Sequence, residues 1–306
     1  MLPSLVETYC IHLEAEGRTA KTITWHRTSL GKFSRWLADT NQREHPDQWT
    51  AHTMRAYLVA LKHSTKPDGE TLAATSVGTY ARSLRAFCAW LCREEFLTTD
   101  PMTKVKQPTT PKLVKPVLSL DECRLVLKAA KSTRNARRDE ALILFMLDTG
   151  ARANEVCTLR AGDVNWSQRL AMVFGKGAKE RYVPFSAATM VAMQRYAVKN
   201  RSDVSDRFFQ GEEGRPLTTS GLLQMCQRIG ANAGVAFSPH RLRHTFAISY
   251  LRSGASVFAL QKTLGHTSLD MSLRYSALMT DDLISDHAKH SPVAGMLRSQ
   301  NSPKTW

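Results

Sequence analysis

The stretch from Thr103 to Pro116, TKVKQPTTPKLVKP, constrains the fold more than any other, because it has almost nothing to bury. Its three prolines remove backbone donors and fix φ, and its four lysines call for solvent or an anionic partner. The chain is therefore expected to fold as two bodies joined by an extended, exposed linker. We place a first domain over 1–104, the basic linker over 105–116, a second domain over 117–295 and a polar tail over 296–306. A total of 306 residues is enough chain for two hydrophobic cores. Lysines spaced along an extended strand suit a segment crossing a phosphate backbone, although a solvated spacer would read the same way.

Before the linker, apolar residues recur at helical spacing. Leu5, Val6, Tyr9, Cys10 and Leu13 form one stripe, which Gly17 stops. Thr19 is positioned to cap a second helix carrying Ile23, Leu30, Phe33 and Leu37. A third helix follows Thr50 with Met54, Tyr57, Leu58 and Leu61, and the turn residues of 63–69 end it. The fourth carries Val77, Tyr80, Leu84, Phe87, Trp90 and Leu91, with Arg82, Arg85 and Arg93 on its outer face. No strand alternation interrupts them, so the first domain is a four-helix body.

Beyond the linker, Ser119-Leu120-Asp121-Glu122 reads as a capping box opening a helix that runs through Ala130. A further helix is expected over about Asp139–Asp148, then the turn Thr149-Gly150-Ala151-Arg152 and a short helix holding Glu155. From Arg169 the pattern shortens to strands. RLAMVF and Glu180–Pro184 flank the turn Gly175-Lys176-Gly177-Ala178-Lys179, which points to a β-hairpin. Helices resume over about Ala187–Ala197, Thr219–Ala233, Pro239–Arg252, Val257–Leu264, Leu269–Ala277 and Asp281–His290, with Gly254 as the stop of the Pro239 helix. The fold class is mainly α with a small β element in the second domain (α+β).

A formal net charge of +15 implies a polyanionic partner, either nucleic acid or an anionic membrane surface. No Lys-rich amphipathic helix with a bulky apolar face supports the membrane surface. No apolar run approaches the ~20 residues of a membrane span, and the first residues do not form a secretory signal. The six cysteines lie scattered without a C-x-x-C pair, a pattern of reduced thiols in a cytoplasm rather than disulfides or zinc.

Five features invite chemistry. His240 and Arg243 share a helix face, and His240 with His244 makes H-x-x-x-H. A hydrolytic zinc helix carries Glu after the first His, where this chain has Arg241, so we assign no metal. An exposed basic helix face would account for the same residues. Arg152 stands at a helix start, where a phosphate is welcome, with Glu155 as its natural partner. Lys176 lies between two glycines in the hairpin turn, a segment too short for a P-loop. His266 follows Leu264-Gly265, and a histidine there is commonly a cap. Tyr275 has helical spacing from Leu269 and Met271 that a core residue would also show.

Taken together, these residues resemble one family. Arg152 in TGAR-x-x-E, Lys176 in GKG-x-K-x-R, His240 and Arg243 in H-x-L-R-H-T, His266 in LGH and then Tyr275 resemble, in order, the catalytic set of tyrosine recombinases of the phage integrase family. The pattern T-Y-x-R-x-L-R-x-F within Thr75–Phe87 is similar to that family's core-site-binding (SAM-like) domain. The resemblance reaches to about residue 290. Met271-Ser272 stand where relatives more often have threonines, a departure outside the chemistry.

The resemblance implies a site-specific recombinase, similar to Xer-type simple-site enzymes, whose two domains close as a clamp on double-stranded DNA. Tyr275 would attack a phosphodiester and form a 3′-phosphotyrosyl link. Arg152 and Arg243 would hold the phosphate oxygens, Lys176 would protonate the leaving 5′ oxygen, His240 would take the tyrosine proton, and His266 would donate to the phosphate. No cofactor and no metal are implied. The partners implied are a specific recombination site, a homotetramer on two duplexes and, in some relatives, a partner recombinase, with Asp281–Leu297 as a segment to dock on a neighbour or on its own domain. The start of the chain close to the core-binding helices is expected of a simple-site resolvase or an arm-less integrase. Two rivals stand beside this reading: strand relaxation of the type IB topoisomerase kind, and a sequence-specific DNA-binding protein without catalysis. Six intact positions weigh against the second.

Overall fold

The computed structural model describes residues 2–40, 45–65, 69–108, 116–175, 180–265 and 273. Apart from Leu273, the helices expected over Leu269–Ala277 and Asp281–His290, the docking segment to Leu297, and the residues Lys176, His266 and Tyr275 lie outside these. The chain divides into two compact units, Met1–Leu113 and Val114–Trp306.

The first unit is built from α1 (Leu2–Ala15), α2 (Ala20–Asp39), α3 (Ala51–His63) and α4 (Ala74–Arg93). Local chemistry sets their ends. Gly17 takes φ 71° just beyond α1. The Thr19 hydroxyl accepts the Thr22 N–H at 3.3 Å, and Thr50 and Thr53 cap each other's backbone at 3.2 and 3.4 Å. The apolar stripes then meet in one core containing Tyr9, Phe33, Tyr57, Phe87 and Trp90. The Tyr9 ring lies 5.3 Å from Phe87 and 5.2 Å from Trp90, offset geometries that add to simple burial. The buried polar pair in this core, His26 and Ser83, shares a 2.9 Å hydrogen bond.

The start of the expected linker belongs to this core. Met102 and Val105 are buried, and Arg85 donates to the carbonyls of Met102 at 3.2 Å and Val105 at 2.6 Å. Gln107 donates to the Gly78 carbonyl at 2.7 Å. Arg85 therefore ties down the chain leaving α4 instead of standing on an outer face. One apolar valine among lysines was enough to anchor the segment, because an arginine on the preceding helix was free to satisfy its carbonyl.

The second unit holds α5 (Leu120–Ala130), α6 (Ala136–Thr149), α7 (Ala153–Thr158), a sheet of β1 (Val164–Asn165), β2 (Leu170–Phe174) and β3 (Glu180–Pro184), then α8 (Ala187–Lys199), α9 (Thr219–Ala233), α10 (Pro239–Arg252) and α11 (Val257–Leu264). The sheet is antiparallel in the order β1-β2-β3, with Leu170 opposite Pro184 and Phe174 opposite Glu180. The sequence predicted only the hairpin, because β1 is two residues long and shows no alternation. Ala171, Val173 and Val183 turn inward.

Helix α6 runs through the middle of this unit. Ala141, Leu142, Ile143, Phe145 and Met146 are all fully buried, so the helix is covered on several sides, with α8, α10 and α5 packed around it. Its polar exception is satisfied: Arg138 holds Asp139 at 2.7 Å, and Thr133 donates to the same carboxylate at 2.8 Å. Helix α6 ends at Gly150 in the left-handed region, φ 62°. That glycine delivers the TGAR turn to the centre of the unit. Helix α10 begins at Ser238, whose hydroxyl accepts the Arg241 N–H at 3.2 Å, with Pro239 in the first turn. It stops at Ser253, and Gly254 follows at φ 91° as the expected glycine stop, its N–H bonded to the Leu251 carbonyl at 2.9 Å and the Ala255 N–H to that of Tyr250 at 3.3 Å.

Candidate active site

The site grows from one short piece of backbone, the end of α11. Three consecutive carbonyls there, Thr263, Leu264 and Gly265, each accept a hydrogen bond from a different arginine. Arg181 Nε reaches Thr263 at 3.0 Å, Arg243 Nη2 reaches Leu264 at 2.9 Å, and Arg152 Nη2 reaches Gly265 at 3.4 Å. The last carbonyls of a helix lack internal partners and carry the negative end of its dipole, so they attract cations. Arginines from β3, α10 and the start of α7 are gathered at that point.

Arg243 is the most enclosed of the three, at 5 % exposure. Besides Leu264 it donates to the Gly150 carbonyl at 2.5 Å, so it bridges the C-terminal ends of α6 and α11. Burial of this charge is sustained by such carbonyls. Gly150 has no room for a side chain: a Cβ there would lie 2.4 Å from Phe246 Cδ1 and 2.7 Å from Leu264 Cδ2. Close approach of the three elements thus demands glycine at the position whose carbonyl Arg243 uses.

Arg152 caps the start of α7. Its backbone N–H donates to Glu155 Oε2 at 2.7 Å and its Nη1 to Glu155 Oε1 at 2.9 Å. Glu155 is 1 % exposed and also binds both terminal nitrogens of Arg181, Oε2 at 2.9 Å and Oε1 by a shorter contact. Burial pushes the Glu155 carboxyl up, but the Arg181 hydrogen bond and charge, with the Arg152 contacts, outweigh it and hold the group below its ordinary value. The carboxylate is therefore ionised and fully partnered.

His240 stands one turn before Arg243 on α10 and is exposed. Its Nε2 lies 2.7 Å from Nε2 of His244, with the rings edge to face and centroids 4.1 Å apart. The sequence alone left His244 outside the chemistry, whereas the structure places it in direct contact with His240. Burial, then the neighbouring His240 and Arg243, lower the His244 pKa from 6.5 to about 4, so His244 is neutral near pH 7. One ring must donate to the other, and the neutral partner makes that possible.

Arg241, facing away from this pair, donates to the Pro116 carbonyl at 2.8 Å and to Glu122 at 3.2 Å. The Thr245 hydroxyl accepts the buried Leu118 N–H at 3.0 Å. Two residues inside the H-x-L-R-H-T run therefore hold the chain entering this unit. Burial pushes the Cys157 thiol up to about 11 and that of Cys226 to about 12, so both are held as neutral thiols. Among the described residues no group of three or more His, Cys, Asp or Glu is placed to hold a metal ion, and no helix is long and apolar enough to cross a membrane.

Of the six residues singled out from sequence, the structure draws Arg152 and Arg243 to one turn and sets His240 a helical turn away. In sequence, Lys176 falls between β2 and β3, the strand that carries Arg181, and His266 is the residue after Gly265, whose carbonyl Arg152 contacts; both lie outside the described residues, as does Tyr275. Sequence reasoning passed over Arg181, although it closes the GKG-x-K-x-R run, because its partners Glu155 and Thr263 lie 26 and 82 positions away.

Comparison with known proteins covers both units. Residues 116–281 match the phage integrase family, and residues 6–95 match the phage integrase N-terminal SAM-like domain. Tyrosine recombinase XerC of Listeria innocua is 30% identical over 284 residues, covering 89% of this chain and 92% of that protein. Tyrosine recombinase XerD of Bifidobacterium longum is 27% identical, over 95% of this chain and 97% of its own length. Among solved structures, a lambda integrase dimer bound to a COC' core site superposes with a TM-score of 0.72 at 18% identity, covering 88% of this chain and 96% of that one. The Tn1549 transposon integrase in complex with transposon right end DNA gives 0.72 at 19% identity, over 89% and 94%. These two likenesses bear on the fold.

Proposed function

As a member of the phage integrase family, the chain is a tyrosine site-specific recombinase, and we propose that it cuts and rejoins DNA through a covalent bond to Tyr275. The phenolic oxygen of Tyr275 attacks the scissile phosphorus, a new P–O bond forms, and the P–O5′ bond breaks. The 3′ phosphate stays on the enzyme and the 5′ strand leaves as a hydroxyl. His240 takes the phenolic proton and Lys176 supplies the proton to the departing 5′ oxygen. A tyrosine with an ordinary pKa near 10 needs such help. Rejoining runs the steps in reverse, and the phosphodiester energy is kept in the covalent bond, so no nucleotide is consumed.

Arg152 and Arg243 hold the non-bridging oxygens and stabilise the charge that builds on phosphorus, an effect whose loss costs about 3–4 kcal/mol for a single donor. His266 donates to the same phosphate. The observation that carries this reading is the convergence of both arginines on adjacent carbonyls of the turn that leads directly to His266. Residues 91 positions apart (243 − 152) are gathered where one phosphate could be gripped by both.

On this reading the partner is duplex DNA with a specific site, gripped by the helical first unit and the second unit as a clamp, with four copies on two duplexes and Asp281–Leu297 docking between subunits. A partner recombinase could take two of the four places. The reaction serves integration, excision or resolution of DNA, in the cytoplasm where the DNA lies. A net charge of +15 supports the polyanionic partner and predicts strongly salt-dependent binding.

The test begins by sequencing DNA recovered covalently attached to the protein from expressing cells, which identifies the site. A duplex of that site, nicked beside the cleavage position so that the freed strand diffuses away, should then trap a protein–DNA complex stable to denaturant. Tyr275→Phe should trap none. Equal trapping by Tyr275→Phe would sink the reading, as would no trapping by the wild type.

A further inference from the structure

We propose that Arg181 is a positioning residue that neutralises Glu155, so that Arg152 keeps its positive charge for an anionic phosphate. This rests on Arg152 acting as a phosphate clamp.

The need arises from the carboxylate. Glu155 fixes Arg152 by two contacts, at 2.7 and 2.9 Å, yet it is a buried negative charge directly beside a group meant to attract a negative phosphate. With those two residues alone, the formal charges would cancel, and in a weakly screened setting an arriving phosphate would feel little attraction. Arg181 changes the sum. Its fork binds both carboxylate oxygens, while the Arg152 guanidinium takes only one. Two guanidinium groups against one carboxylate leave one positive charge.

Exposure divides the roles. The Arg181 side chain is 11 % exposed, whereas that of Arg152 is 37 % exposed. The enclosed arginine is the one paired bidentately with the carboxylate, and the open one has the face that a ligand can reach. Arg181 is further locked by its 3.0 Å bond to the Thr263 carbonyl and by contact with Gly265, where a Cβ would sit 2.8 Å from Arg181 Cδ. Lysine could carry the charge but could not make the fork and the third bond together.

The test uses the full chain and the nicked duplex of its site, reading the rate of covalent complex formation, with thermal melting as the folding check. Arg181→Met is expected to slow the reaction by about 100-fold or more. Adding Glu155→Gln to it should recover about 10-fold, because the uncancelled carboxylate is gone. A double variant no faster than Arg181→Met, at similar melting temperature, overturns the proposal, since a merely structural pair would regain melting temperature on loss of the unpaired carboxylate without a gain in rate at matched stability. If Arg181→Met does not fold, Arg181→Lys takes its place. There the charge is already balanced, so Glu155→Gln should give no gain, and a gain of about 10-fold would overturn the proposal.

Failure of the wild type to form a Tyr275-linked complex would defeat the reaction scheme alone. Arg181 is then judged by binding of a duplex of arbitrary sequence, because phosphate contacts and their salt dependence do not require the site. The slope of log Kd against log salt should fall by about one in Arg181→Met and return in the double variant. An unchanged slope overturns the assignment.

Discussion

Gly150→Ala is the perturbation whose size the structure determines best. Two costs add. The residue sits at φ 62°, where a side chain costs about 1–2 kcal/mol. A Cβ would also lie 2.4 Å from Phe246 Cδ1 and 2.7 Å from Leu264 Cδ2. Both neighbours are buried in the α10–α11 core, so relief requires moving packed side chains, typically about 1–3 kcal/mol. The sum is about 2–5 kcal/mol, which for a unit of this size lowers the melting temperature by about 4–20 °C. Gly254→Ala is the matched control. It has φ 91° and nothing within 4 Å of its Cβ, so it carries strain without a clash. Thermal unfolding of both variants, with trapping on the nicked duplex, separates the terms. Gly150→Ala should lose about 1–3 kcal/mol more than Gly254→Ala. It alone should slow covalent complex formation, because Gly150 supplies a carbonyl to Arg243. Equal losses and equal rates would refute the claim that the α6 end, α10 and α11 meet at van der Waals limits.

Two further outcomes are expected elsewhere in the second unit. The folded His244 has its pKa lowered to about 4, so the unfolded chain binds its proton more readily; the stability this contributes is full above about pH 6.5 and is lost as pH falls toward 4. After allowance for screening the loss is on the order of 1–2 kcal/mol, His244→Asn should flatten that part of the stability profile, and identical profiles would contradict the assignment. Thr245→Val keeps the shape but leaves the buried Leu118 N–H without its acceptor. Denaturant unfolding should show a loss of about 1–3 kcal/mol, and a change below ~0.5 would show that this bond does not hold the entering chain.

Much of the fold was legible because it is set locally. The spans Thr219–Ala233, Pro239–Arg252 and Val257–Leu264 follow from apolar periodicity bounded by Thr218, Ser238 and Ser256 at the starts and glycines just past the ends. Ser119 and Glu122 cap each other as their spacing predicts. What escaped depends on partners distant in the chain. Val105 reads as linker until Arg85 is seen to bond its carbonyl. β1 is too short to alternate and exists through pairing with β2. At the site, Glu155 was legible as a partner of Arg152 because it lies three residues away. Arg181 was not, because its role arises only where β3 passes α7 and the end of α11. His244 was set aside for its poor fit to a metal pattern, when its contact is with the other histidine.

The most direct test of the account is to locate the covalent bond itself. The complex trapped on the nicked duplex is digested with protease and nuclease, and the modified peptide is identified by tandem mass spectrometry. The account predicts a single nucleotide remnant joined through its 3′ phosphate to Tyr275, with a free 5′ hydroxyl on the released strand. A remnant on any other residue, or one joined through a 5′ phosphate, would contradict it.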